Sequence, residues 1–243
     1  VDENGLLDYN HFEQLAMLNK PKVIVAGASA YPRQIDWAAF RRIADIVGAI
    51  LVVDMAHYSG LIAGKAYDSP LAYADVVTST THKTLRGPRG GMILWNKEEY
   101  TKRINSSIFP GTQGGPLMNI IAAKAQCYIE ANTDKFKEYS HQVIKNARAM
   151  AEVFIENNFK LLTNGTDSHI LLLDLSDSKW SGREAADILE KNNITVNKNG
   201  VPNDPRSFIE TSGIRIGTAA ETTRGHKEEW FSDLAQRIVD LLK

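Results

Sequence analysis

The chain has 243 residues, 43% of them apolar, and a formal net charge of −1. That length accommodates one large domain or two small ones with a sizeable core, and the lack of any long basic block argues against nucleic acid as a main partner. The single cysteine, Cys127, excludes an internal disulfide and fits a reducing, cytoplasmic setting. No apolar run approaches the roughly 20 residues of a membrane span, and the N-terminus lacks the charged-then-apolar pattern of a signal peptide.

In chain order, residues 6–19 read as a helix carrying Phe12, Leu15, Ala16 and Leu18. Residues 22–26 read as a buried strand. Asp36 is placed to cap a helix over 37–47 that Gly48 ends. Strands follow at 50–54, 74–77 and 91–95. Two long helices are predicted over 117–132 and 135–158, broken at Thr133-Asp134, with Asp134 as the cap. The pattern then changes to strands at 160–162 and 170–175, a helix over 182–192, strands at 194–197 and 214–217, and a final helix over 227–242. Strands separated by helices predict an α/β fold with a mainly parallel sheet and function at the strand carboxyl ends. The expected division is 1–135 and a small α+β part, 136–243, with the boundary within 133–139.

Two strand ends carry the chemistry. Ile50-Leu51-Val52-Val53-Asp54 runs into Met55-Ala56-His57. The strand ending at Val77 runs into Thr78-Ser79-Thr80-Thr81-His82-Lys83-Thr84-Leu85-Arg86-Gly87-Pro88-Arg89-Gly90-Gly91. Alone, such a lysine is an ordinary surface charge and such an aspartate an ordinary turn residue. Together they are what a pyridoxal phosphate enzyme needs. The lysine amine condenses with the cofactor aldehyde, and the acid keeps the pyridine nitrogen protonated.

The motifs Val52-Val53-Asp54-Met55-Ala56-His57 and Thr80-Thr81-His82-Lys83-Thr84-Leu85-Arg86-Gly87-Pro88-Arg89-Gly90-Gly91 resemble those of serine hydroxymethyltransferases. The resemblance covers essentially the whole chain. It implies a fold-type I pyridoxal phosphate enzyme that interconverts serine and glycine, with tetrahydrofolate as the one-carbon acceptor. It also implies a homodimer or higher homo-oligomer, and no metal. Family members run longer, with a long segment before the position of Val1 and a shorter one past Lys243. The chain is therefore expected to be a fragment, inactive alone. The family's catalytic glutamate, ring-stacking histidine, phosphate-binding serine and most folate contacts are expected before Val1.

The resemblance also assigns roles. Lys83 holds the cofactor, His82 tunes the centre, and Thr80 is a polar contact beside it. Asp54 contacts the pyridine nitrogen, His57 is a hydrogen-bond partner, and Ser29 lies by the phenolic oxygen. Gly114 and Gly115, read as lying directly before a helix, reach the cofactor phosphate of a neighbouring subunit. Arg215, in Ser212-Gly213-Ile214-Arg215-Ile216-Gly217-Thr218, binds the substrate carboxylate; an arginine within an apolar strand needs such a partner. Ser207, Phe208 and Ile209 stand where many bacterial members have Ser-Pro-Phe near folate. Ala219-Ala220 replaces the usual Pro-Ala after Gly217-Thr218. A folate-independent threonine-type aldolase and a non-catalytic module of the same fold are the rival readings.

Overall fold

The computed structural model describes all residues from Val1 to Lys243. They form two compact units, one of Tyr9–Ser29 and Ile35–Lys137, the other of Val1–Asp8, Ala30–Gln34 and Glu138–Lys243.

The first unit holds α1 (Tyr9–Asn19), β1 (Val23–Ala26), α2 (Trp37–Val47), β2 (Ile50–Asp54), α3 (Ser59–Ala63), β3 (Val76–Thr80), β4 (Gly91–Trp95), α4 (Thr101–Ser106) and α5 (Met118–Ala131). The sheet order is β1-β2-β3-β4. β1, β2 and β3 run parallel, and β4 returns antiparallel to β3 with Thr80 opposite Gly91. β-branched residues dominate β1 and β2, as suits strands packed within a sheet. Leu51, Val53 and Val77 are buried, as are Trp37 and Ile43 of α2 and Leu61 of α3. α2 starts where the Asp36 carboxylate accepts from the Ala39 amide at 2.9 Å. It ends at Gly48, whose left-handed φ of 67° lets its amide reach the Ala44 and Asp45 carbonyls.

The second unit holds β5 (Lys160–Leu161), β6 (Ile170–Asp174), α7 (Gly182–Lys191), β7 (Asn197–Asn199), β8 (Gly213–Gly217), α8 (Ala219–Thr223), α9 (Glu228–Leu242) and all but the first turn of α6 (Asp134–Glu156). Its sheet is antiparallel throughout, in the order β5-β6-β8-β7. Leu171, Leu173, Ile214 and Ile216 pack one face into a core with Phe154 of α6, Leu189 of α7 and Phe231 and Ile238 of α9. A capping box starts α7: Ser181 Oγ accepts from the Glu184 amide, and Glu184 Oε2 accepts from the Ser181 amide.

Several sequence expectations shift. β3 is Val76–Thr80, not 74–77, because pairing with β4 draws Thr78, Ser79 and Thr80 into the sheet. β7 is Asn197–Asn199, not 194–197; Ile194 is buried in the core before the strand begins. α1 begins at Tyr9 rather than residue 6, the Asp2 carboxylate having closed a turn on the Asn4 and Leu6 amides. The cap before α6 is Thr133, whose hydroxyl accepts from the Phe136 amide; Asp134 pairs with Lys137 instead. α3, α4 and α8 were not anticipated.

Candidate active site

Because β1, β2 and β3 are parallel, their carboxyl ends share one edge of the sheet. The segments leaving that edge carry Ser29, Asp54 with His57, and Thr80 through Lys83. Asp54 closes β2 in register with Thr78 of β3, and the Met55 amide continues the ladder to the Thr78 carbonyl. The Asp54 carboxylate is exposed, and its Oδ1 accepts from the Ala56 amide at 2.9 Å. Gly27 lets β1 turn away beside it. Its φ is 130°, and a Cβ there would sit 2.2 Å from the Asp54 carbonyl oxygen.

The lysine turn is locked from several sides. The Thr81 amide donates to the Gly90 carbonyl, the Gly87 amide to the Thr81 carbonyl, and the Thr81 hydroxyl to the Pro88 carbonyl. Thr84 Oγ1 accepts from the Gly60 amide at 3.0 Å and donates to the His57 carbonyl at 2.8 Å. A Cβ on Gly60 would lie 2.1 Å from the Thr84 carbonyl oxygen, so only glycine permits this approach. Within the turn, Lys83 Nζ donates to Thr80 Oγ1 at 3.3 Å. His82 is half-buried, and its buried Nδ1 has no hydrogen-bond partner. Burial, followed by the nearby Arg89 and Lys83 charges, pushes the imidazole below its ordinary pKa.

The segment that carries Gly114 and Gly115 leads directly into α5, with Leu117 as the N-cap residue of that helix. The two glycines are exposed and line a cavity of about 700 Å³ together with Thr78, Ser79, Arg89 and Gly90.

In the second unit, Arg215 is half-buried on β8. Ile214 and Ile216 point to the core, so strand alternation turns Arg215 to the opposite face. Nη2 donates to Asn197 Oδ1 of β7 at 2.9 Å. The Ser207-Phe208-Ile209 loop presents its apolar side chains outward, Phe208 at 94% exposure. It is anchored by Asp204, which accepts from the Ser212 amide and hydroxyl, and by Arg206, which donates to the Leu175 and Ser178 carbonyls. Sequence reading assigned no role to Thr84, Gly60 or Asn197. Each acts through a residue distant in sequence, and residue type alone carried no signal of it.

The donor set of the first unit fits pyridoxal phosphate. It offers a primary amine held by a hydroxyl, an exposed carboxylate at the neighbouring strand end, and an imidazole with a buried, unpartnered nitrogen.

Residues 1–238 match the family model described as Serine hydroxymethyltransferase. Among curated relatives, the serine hydroxymethyltransferases of Psychrobacter cryohalolentis and Psychrobacter arcticus are each 56% identical over 242 residues, and that of a further Psychrobacter species is 55% identical. Each match covers 100% of this chain and 58% of the relative's length.

Proposed function

Because the chain belongs to the serine hydroxymethyltransferase family, we propose that the whole protein interconverts serine and glycine, with tetrahydrofolate accepting the one-carbon unit. The observation that carries the reading is Lys83, hydrogen-bonded to Thr80 in a turn braced by Thr84 against the segment that follows Asp54. Pyridoxal phosphate, when bound, supplies an aldehyde for amine condensation and a cationic ring that takes up the electron pair left on the substrate's α-carbon. Lys83 is the amine that holds the group, and the Thr80 hydroxyl orients it.

Asp54 keeps a proton on the pyridine nitrogen, and the Ala56 amide fixes the direction of its carboxylate. His82, whose pKa burial and the nearby Arg89 and Lys83 charges push below its ordinary value, offers a ring nitrogen beside the lysine. His57 and Ser29 supply further polar contacts to the cofactor. Arg215 takes the substrate carboxylate through two parallel hydrogen bonds, a geometry a lysine cannot reproduce. Phe208 and Ile209 form an apolar contact for folate in place of Ser-Pro-Phe.

Gly114 and Gly115, exposed ahead of α5, are suited to reach a second copy of the chain, which makes a homodimer or higher homo-oligomer part of the proposal. A fold-type I architecture with a small C-terminal domain and a cytoplasmic location complete it. No helix of the chain is long and apolar enough to cross a membrane.

The test is product analysis on the full-length protein. Glycine should form from serine only when tetrahydrofolate is present, and Arg215→Lys should weaken serine binding by about one to two decades. Folate-independent cleavage of threonine as the main activity would overturn the assignment.

A further inference from the structure

Three side chains lie in one row across the antiparallel sheet: Leu172 of β6, Arg215 of β8 and Asn197 of β7. Directly opposed residues in such a sheet are within mutual reach. Leu172 is buried and brings only hydrocarbon to its side of the row. Asn197 brings an amide oxygen, which accepts from Arg215 Nη2 at 2.9 Å. The register behind this contact is built into the backbone. Asn199 opposes Gly213, where a Cβ would sit 2.8 Å from the Asn199 carbonyl oxygen, so β7 closes against β8 at a point where a side chain would obstruct it.

We propose that Asn197 is a positioning residue whose neutral amide oxygen aims the Arg215 guanidinium at the substrate carboxylate. The inference rests on the reading of Arg215 as the carboxylate ligand. A guanidinium is a planar fork of five N–H donors on a long, rotatable stem. Docking one nitrogen on a neutral acceptor restricts the stem and sets the plane of the fork. An aspartate in the same place would make a charge-assisted pair with Arg215 and compete with the incoming carboxylate. Residue 197 therefore decides how strongly the amino acid is held, although it does not touch it.

The test uses the full-length, pyridoxal phosphate-loaded protein. Glycine binding is read by calorimetry, with KM and kcat for serine measured alongside. Asn197→Ala should weaken glycine binding about five- to tenfold, the order expected for one lost neutral hydrogen bond. Asn197→Asp, nearly isosteric, should weaken it further, whereas Asn197→Gln should recover part of the loss. The change should fall on KM far more than on kcat. Equal losses for the alanine and aspartate variants, or parental binding by the aspartate variant, would overturn the proposal. Arg215→Lys separates the two layers. If it binds glycine as the parent does, the carboxylate reading fails and this inference with it. If it binds weakly while all three Asn197 variants bind normally, only the positioning role fails.

Discussion

Asp75 illustrates how a carboxylate is kept ionised inside the first unit. It is 5% exposed, and burial alone would raise its pKa. Lys97 Nζ at 2.5 Å, the Leu51 amide at 2.8 Å and Arg41 at 2.9 Å outweigh that and bring it down to about 2. An unfolded aspartate titrates near 3.9, so the native state gains stability that is complete above about pH 4 and is lost as pH falls toward 2, on the order of 2 kcal/mol. Asp75→Asn should lower stability at neutral pH and flatten this acid limb in urea unfolding measured against pH; parallel profiles for the two proteins would contradict it. His82 shifts in the same direction from a different cause, burial first and then the Arg89 and Lys83 charges. Its NMR titration midpoint should fall below the ordinary value of about 6.5, and a midpoint above that would show an imidazole stabilised in its charged form. The residue types at the strand ends could be read in the sequence. Their bracing could not, since Thr84 finds Gly60 across 24 positions and Arg215 finds Asn197 across 18.

At the scale of elements, two glycines make contrasting demands. Gly48 caps α2 with a φ of 67° and has open space around the position of a Cβ. Gly48→Ala should therefore cost about 1 kcal/mol through backbone strain, with the cofactor's visible absorbance unchanged. Gly60 is hemmed in by the Thr84 carbonyl, so Gly60→Ala must displace the lysine turn and should diminish that absorbance. Equal effects of the two substitutions would contradict the bracing role of α3. α2 was legible to the residue because an Asp cap, an amphipathic run and a terminal Gly agree. β3 was misplaced because Thr78-Ser79-Thr80 has the composition of a turn, and only the β4 partner makes it a strand. β7 was misplaced because Ile194 and Val196 attract a strand assignment, whereas Ile194 serves the core outside the sheet. The short helices α3 and α8 have too few residues to show a period.

At the scale of the whole molecule, the chain spans 58% of the length of the curated relatives it matches. β1 lies at a sheet edge with Val25 71% exposed, and Leu117 ahead of α5 is 70% exposed. Open edges and exposed apolar side chains favour association. The 243-residue chain should self-associate, with a mass by light scattering that rises with concentration; a monomer at every concentration would contradict this. The most direct test of the proposed chemistry is to treat the full-length protein with pyridoxal phosphate, reduce it with borohydride and locate the label by peptide mass spectrometry. The label should sit on Lys83 and vanish in Lys83→Ala. A label on another lysine, such as Lys65, or equal labelling of the alanine variant, would show that the turn after β3 does not hold the cofactor.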